Sequence, residues 1–180
     1  MKIGLISDTH GELENLREAV LQLVRDHGVD ILVHLGDEWE DAEAAKKMVA
    51  VDVLTVPGVY APQYQDRTVP NRLLRHFRGF RVLFTHTAEV HENDRPEDPD
   101  PRELAAAHKV NIVAYGHTHV PAAELVDGVL WVNPGHLKSQ DKKGHAPSYA
   151  VFGIEPRKTE VSVNDLHSKE PFLTQTLKRN

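Results

Sequence analysis

The sequence predicts a layered α/β fold, and three observations lead to that prediction. Short apolar runs recur along the first two thirds of the chain, helical patterns separate them, and two hairpin signals follow. Near-continuous β-branched runs are typical of strands that are covered on both faces. The alternation favours a largely parallel sheet, and the hairpins favour a second, antiparallel sheet packed on the first. We expect a single domain over residues 1–180.

The strands and helices follow in order along the chain. Five runs are predicted to be strands, at residues 3–6, 31–35, 53–56, 81–86 and 110–115. The first predicted helix has an apolar stripe over 13–24 and a stop at Gly28, and the second covers 41–50. A third helix begins after Asp100 as N-cap, with Glu103 completing a capping box.

The last third contains the hairpin signals. Asp127 and Gly128 are predicted to form a two-residue turn, and residues 148–155 and 158–165 a second hairpin. The acidic, proline-rich stretch 91–101 is predicted to be a surface loop with solvated charges.

Composition narrows the range of functions. The formal net charge of −6 argues against an extended nucleic-acid footprint, and no apolar stretch is long enough for a membrane span. We therefore expect a cytoplasmic protein without membrane contact, and the sequence leaves a homo-oligomer open. The chain has no cysteine, so nitrogen and oxygen atoms must hold any metal. A small phosphorylated substrate remains compatible with the acidic charge, because bound cations reverse the local field.

Carboxylate and imidazole side chains follow four of the five apolar runs. These residues are Asp8, His10, Asp37, His86, His117 and His119. Open α/β sheets bind ligands just outside the carboxyl ends of their strands, so we expect these side chains to meet. His34 precedes Asp37 by three residues and is predicted to lie in the core or to support the site.

The spacing of these residues indicates a metal site. In an extended segment, Asp8 and His10 point to one side, as do His117 and His119. Oxygen and imidazole donors suit Mn, Ni, Fe, Co or Zn. Six donors exceed the four of a closed zinc site and suit two cations about 3.5–4 Å apart. Asp37 is the candidate bridging carboxylate.

The order of these motifs resembles that of the calcineurin-like metallophosphoesterases. D-x-H, G-D, a histidine after a strand and G-H-x-H appear in that order between residues 3 and 154. The stretch "LISDTHG", and "NPG" followed by "PSYAVF", are most similar to the small bacterial and archaeal phosphodiesterases.

The resemblance implies a fold and a ligand set. The implied fold is a four-layer αββα sandwich of two mixed β-sheets flanked by helices. The implied ligands of the first metal are Asp8, His10 and His119, and those of the second are His86 and His117. Asp37 would bridge the two divalent transition metals.

The chain departs from the family pattern at five positions. Val59 replaces an asparagine ligand of the second metal, and Tyr60 and Ala61 replace the two residues after it, the second of which is acidic in the family. Ala88 replaces a histidine, and His136 stands where serine is usual. We therefore expect one metal to bind well and the second poorly. Four residues are candidates for a substrate contact or a replacement ligand, namely Tyr60, Asp66, His91 and His136. The pattern assigns no leaving-group acid.

Two functions follow from these observations. The first is a metal-dependent phosphoesterase that hydrolyses a small phosphodiester or phosphomonoester through a metal-bound hydroxide at a dinuclear, incomplete site. The second is a non-catalytic or weakly active binding or scaffold protein on the same fold, as in the retromer subunit. A metal amidohydrolase barrel is excluded by length, because that fold needs about 250 residues.

Overall fold

The computed structural model describes residues 1–179, which form eleven strands and three α-helices. The strands are β1 (Lys2–Ile6), β2 (Ile31–His34), β3 (Asp52–Thr55), β4 (Arg72–Phe77), β5 (Phe80–Thr85), β6 (Ile112–Ala114), β7 (Ala122–Val126), β8 (Val129–Asn133), β9 (Ser148–Ile154), β10 (Lys158–Asp165) and β11 (Pro171–Lys178). The helices are α1 (Leu13–Leu21), α2 (Trp39–Met48) and α3 (Pro101–Ala106). A π-helical turn, Gln22–Asp26, extends α1, and a 3₁₀ turn occupies Pro62–Gln65.

The strands form two mixed sheets. The first sheet has the order β11-β10-β9-β1-β2-β3, with β1, β2 and β3 parallel and the other neighbours antiparallel. The second has the order β4-β5-β6-β8-β7, with β5, β6 and β8 parallel. The parallel strands occupy one side of the first sheet and the centre of the second, and their carboxyl ends are free to carry a site.

Three apolar clusters separate four layers. The largest joins both sheets and includes Leu5 of β1 and Phe84 of β5, which are fully buried. A second cluster packs Leu16 and Val20 of α1 on the outer face of the first sheet. The third packs Ala105 of α3 on the outer face of the second sheet. The αββα sandwich implied by the family resemblance is thereby confirmed.

The hairpins were predicted correctly, but their place in the fold was not. Asp127 and Gly128 both have positive φ, at 49° and 78°, as a tight turn between β7 and β8 requires. That hairpin joins the second sheet, whereas β9 and β10 join the first. The antiparallel segments therefore do not form a separate sheet, because β9 pairs with the free edge of β1, for example Ile3 with Phe152.

Two further predictions need correction. Asp100 caps α3 by accepting a hydrogen bond of 2.7 Å from the amide of Arg102. Among residues 1–179, the side chain of Glu103 accepts no reciprocal bond from the amide of Asp100, so the capping box is incomplete. The charges of the 91–101 stretch are not all solvated, since the side chains of Arg72 and Asp94 form an ion pair and are 1% and 8% exposed. Burial excludes the water that would otherwise screen this pair.

Two edge strands, β4 and β11, were not predicted from the sequence. Most side chains of both strands are exposed or half-buried, so neither contains a continuous apolar run. Among residues 1–179, no helix has the length and apolar character needed to cross a bilayer.

Candidate metal centre

The six predicted ligands lie in the loops that follow β1, β2, β5 and β6. Asp8 and His10 follow β1, Asp37 follows β2, and His86 is the first residue after β5. The pair His117 and His119 follows β6. The loops of both sheets meet at this end of the sandwich, where the amide of His117, after β6, donates to the carboxylate of Asp8, after β1.

The backbone at these residues is left-handed and not extended, which corrects the geometric argument from sequence. Positive φ angles occur at five of the six, namely Asp8 (52°), His10 (50°), Asp37 (93°), His117 (64°) and His119 (59°). Each strand ends before the ligands that follow it. Sharp turns of the backbone therefore position the ligands, and the i, i+2 alternation of a strand does not. Positive φ is uncommon for residues with a side chain and is concentrated at functional sites.

Asp8, His10 and His119 form one group of potential ligands, with one ligand atom from each within 4.8 Å of the others. Nε2 of His119 lies 3.0 Å from Nε2 of His10 and 3.6 Å from Oδ1 of Asp8. Asp8 is 1% exposed, and both of its carboxylate oxygens also accept from the amide of His117. The two imidazoles and the carboxylate therefore converge on one point.

A second group contains Asp8, Asp37 and His86. Nε2 of His86 lies 3.2 Å from Nδ1 of His117, which places His117 beside this group. Oδ2 of Asp37 lies 2.8 Å from Nδ1 of His10. A third group joins His10 and Asp37 to Glu38, which the sequence analysis did not consider. Asp8 and Asp37 each belong to two groups.

Neighbouring groups fix which ring nitrogens are available for binding. Nδ1 of His86 donates to the carbonyl of Leu35 over 2.8 Å, and Nδ1 of His119 donates to the carboxylate of Asp141 over 2.7 Å. In both rings Nε2 then carries the free lone pair that a metal needs. Asp141 was not predicted from the sequence, because 22 residues separate it from His119 and no motif connects them.

Fully buried His34 supports the loop between Asp8 and His10. Its Nε2 lies 3.1 Å from the hydroxyl of Thr9, and its Nδ1 accepts from Gly36 N over 3.3 Å. Since the acceptor role of Nδ1 leaves the proton on Nε2, His34 donates to Thr9 and acts as a support for the site, as its sequence position predicted.

Two glycines allow the loops to approach each other. A Cβ at Gly58 would lie 2.5 Å from the Cα of Asp37, and one at Gly116 would lie 1.9 Å from Oγ of Ser7. Such distances leave no room for a side chain. The glycines of "PGV" and "YGH" thus set the spacing between the ligand loops.

The charge states of the predicted ligands favour the binding of a cation. Burial raises the pKa of Asp8 to about 7, and the nearby charge of Asp37 adds to the effect. Burial lowers the pKa of His86 to about 4 and also lowers that of His117, so both imidazoles are neutral at pH 7. Neutral imidazoles and closely spaced carboxylates that repel each other are a donor set that divalent transition metals stabilise.

The altered half of the site contains Val59, Tyr60 and Ala88. Val59 is 3% exposed, and its carbonyl accepts from the side-chain amide of Asn93 over 3.1 Å. Tyr60 is 74% exposed, and Ala88 packs against the cluster under α3. None of these side chains offers a buried ligand atom.

The four candidate replacement residues lie in different environments. Asp66 is exposed and accepts from both the amide and the hydroxyl of Thr68, in a local turn outside the groups described above. Both ring nitrogens of buried His136 bond to the backbone, at Lys138 N and His145 O. His91 lies beside the site, with its ring centroid 5.7 Å from that of His117. The ring centroid of Tyr60 also lies 5.7 Å from that of His91.

Comparison with known proteins concerns the family and the fold of this chain. Residues 1–157 match a family model described as a calcineurin-like phosphoesterase superfamily domain. Phosphodiesterase MJ0936 of Methanocaldococcus jannaschii is 27% identical over 149 residues, which are 75% of this chain and 83% of that protein. Phosphodiesterase YfcE of Escherichia coli is 29% identical over 177 residues, at coverages of 84% and 87%. The solved structure of Vps29 from Chaetomium thermophilum has the same fold, with a TM-score of 0.72, 14% identity and 99% of both chains covered.

Proposed function

Because the chain belongs to the calcineurin-like phosphoesterase superfamily, as its motif order predicted, we propose that it is a metal-dependent hydrolase of a small phosphodiester or phosphomonoester. The observation that carries this proposal is the convergence of six carboxylate and imidazole side chains from four strand ends. A protein that needed only the scaffold would have no physical reason to hold five of these residues in left-handed conformations.

The proposed ligands divide between two divalent cations. Asp8, His10 and His119 would hold the first, His86 and His117 the second, with Asp37 as the bridge. The grouping of the ligand atoms supports this division, and the place of Asp8 in two groups makes it the competing bridge. When bound, Mn, Ni, Fe, Co or Zn ions would activate a water molecule and stabilise charge that develops on phosphoryl oxygens.

Residues around the ligands orient them for this chemistry. Asp141 and the carbonyl of Leu35 hold protons on Nδ1 of His119 and His86, which directs both Nε2 lone pairs inward. Nζ of Lys138 lies 3.7 Å from Oδ1 of Asp141, so a positive charge stands near the first group. A lysine in this position favours an anionic substrate over a neutral one.

Turnover of bis(p-nitrophenyl) phosphate and p-nitrophenyl phosphate tests the proposal. We expect the Mn²⁺-loaded protein to release p-nitrophenol from at least one of them, and chelation to abolish the reaction. His119→Ala should lower both metal content and turnover. His167→Ala changes a side chain that is 60% exposed and serves as the matched control. Full metal loading without turnover of either compound would contradict the proposal.

The second candidate function is a weakly active or non-catalytic binding protein. Buried Val59 favours it, because a valine side chain has no donor atom for the second metal. This candidate predicts metal uptake at the first group, little or no turnover of either aryl phosphate, and no gain when a donor is restored at residue 59.

A further inference from the structure

The loop formed by residues 91–98 is bonded to the segment that has lost the family's asparagine ligand. Five hydrogen bonds join the two. Four of them run from Asn93 Nδ2 to Val59 O (3.1 Å), from Gln65 Nε2 to Asn93 O (2.8 Å), from Arg95 Nη1 to Asp66 O (2.9 Å) and from Arg95 Nη2 to Val69 O (3.1 Å). The fifth runs from the hydroxyl of Tyr64 to Oδ1 of Asp94. The 91–98 loop therefore has a defined position next to the altered half of the metal centre.

A buried carboxylate holds the first residue of this loop. Asp94 accepts hydrogen bonds from Nη2 of Arg72 (2.6 Å), from the hydroxyl of Tyr64 and from the amide of His91 (3.0 Å). Charge-assisted bonds of this kind are stronger and more directional than neutral ones. Since Arg72 belongs to β4, the backbone of His91 is tied to the sheet and does not depend on the loop alone.

The ring of His91 is oriented as well. Its Nδ1 accepts a hydrogen bond from the amide of Asn93 over 3.2 Å, so the neutral ring carries its proton on Nε2. Within residues 1–179, Nε2 makes no hydrogen bond, and it is not among the buried polar atoms without a partner. The ring stands between Tyr60 and His117, roughly perpendicular to both, with interplanar angles of 87° and 79°.

We propose that His91 is a substrate-binding residue whose Nε2–H donates to a phosphoryl oxygen beside the His117 side of the centre. This inference rests on the proposed function and gives a substrate contact to the altered half of the centre, where Val59 and Ala88 offer no donor atom. A metal-ligand role is disfavoured by the tautomer. To ligate through Nε2, the ring would move its proton to Nδ1, where it would face the amide hydrogen of Asn93.

The test uses inorganic phosphate as the probe and the Mn²⁺-loaded protein. We expect His91→Ala to weaken phosphate binding by about tenfold to a hundredfold, the range for one hydrogen bond to a charged group. Manganese content should equal that of the wild type. His91→Gln should recover most of the affinity, because its amide nitrogen reaches about the position of Nε2, whereas His91→Asn should not. His76→Ala, at an exposed position of β4, is the control.

Each possible result supports or overturns the proposed role of His91. An unchanged phosphate affinity in His91→Ala would overturn it, and so would a wild-type protein that binds no phosphate. A loss of manganese in His91→Ala would also overturn it and make His91 a ligand. Phosphate binding that depends on His91, in a protein that hydrolyses neither aryl phosphate, would support this contact while the proposed hydrolase activity fails.

Discussion

Nδ1 of His119 donates a hydrogen bond of 2.7 Å to the carboxylate of Asp141. This contact joins the loop after β8 to the ligand loop after β6, so that part of the candidate metal centre depends on a residue outside the motifs quoted from the sequence. The same carboxylate accepts from the amide of Lys143 over 2.9 Å, which holds it in place. Hydrogen bonds of this kind orient metal-binding histidines and increase their basicity.

Removal of this carboxylate should weaken metal binding. We expect Asp141→Ala to raise the dissociation constant for Mn²⁺ by about tenfold to a hundredfold, because His119 loses the group that holds its ring and tautomer. Calorimetric titration of metal into the apo protein measures the change. Asp127→Asn, in the β7–β8 turn, is a control at a carboxylate remote from the ligand loops. Equal affinities for wild type and Asp141→Ala would exclude this role for Asp141.

The bridging carboxylate can be identified by metal stoichiometry. We expect Asp37→Asn to reduce bound metal more than Asp8→Asn, because a bridging carboxylate offsets repulsion between two cations. Elemental analysis of both variants, purified with the same excess of Mn²⁺, provides the comparison. Full stoichiometry in Asp37→Asn together with depletion in Asp8→Asn would transfer the bridge to Asp8, the other carboxylate that belongs to two groups.

A restored donor at residue 59 should improve the second half of the centre. Val59→Asn changes the side-chain volume little and supplies an amide oxygen, so we expect tighter binding of a second metal and higher turnover of the aryl phosphates. Titration and initial rates at saturating Mn²⁺ or Ni²⁺ test this expectation. If wild type already binds two metals with similar affinity and the substitution lowers turnover, another group occupies the position of the missing asparagine.

A methyl group at Gly116 should disrupt the centre. The added Cβ would lie 1.9 Å from Oγ of Ser7 and 2.8 Å from Oδ2 of Asp8. We expect Gly116→Ala to lower the free energy of unfolding by about 1–3 kcal/mol, as overpacking does, and to reduce metal content. At Gly153 the nearest atom to an added Cβ is 4.0 Å away, so Gly153→Ala is the matched control. Urea unfolding of the apo proteins should rank Gly153→Ala above Gly116→Ala in stability.

The buried imidazole of His34 should make folding sensitive to acid. Burial lowers its pKa from 6.5 to about 4, so the folded protein favours the neutral ring. The stability due to this preference is fully present above about pH 6.5 and is lost as the pH falls towards 4. Between about pH 7.5 and about pH 5, the loss should be about 2 kcal/mol.

Urea unfolding in the presence of a chelator measures this dependence. His34→Gln keeps a donor for the hydroxyl of Thr9 but does not titrate, so its unfolding free energy should fall less steeply than that of wild type. The difference between the two slopes separates the contribution of His34 from that of His86. Burial also lowers the pKa of His86 to about 4. Parallel slopes would show that the charge on His34 is tolerated in the fold.

Much of the fold was predictable because its central strands are apolar and its turns are short. The runs that became β1, β2 and β5 are buried on both faces, and the Asp127–Gly128 turn has a strong local preference. β4 and β11 were not predictable, since an edge strand whose side chains are mostly exposed or half-buried has a weaker apolar pattern. The position of β9 beside β1 depends on long-range pairing, which no local pattern specifies.

The sequence by itself determined which residues converge at the centre. Asp8, His10, Asp37, His86, His117 and His119 follow apolar strands, and the ends of such strands meet at one edge of each sheet. Only the tertiary structure decided their backbone conformation and supporting contacts, namely the left-handed turns, the bond from His119 to Asp141 and the position of His91. The physical reason is that strand periodicity is local, whereas hydrogen bonds between loops depend on how distant segments pack.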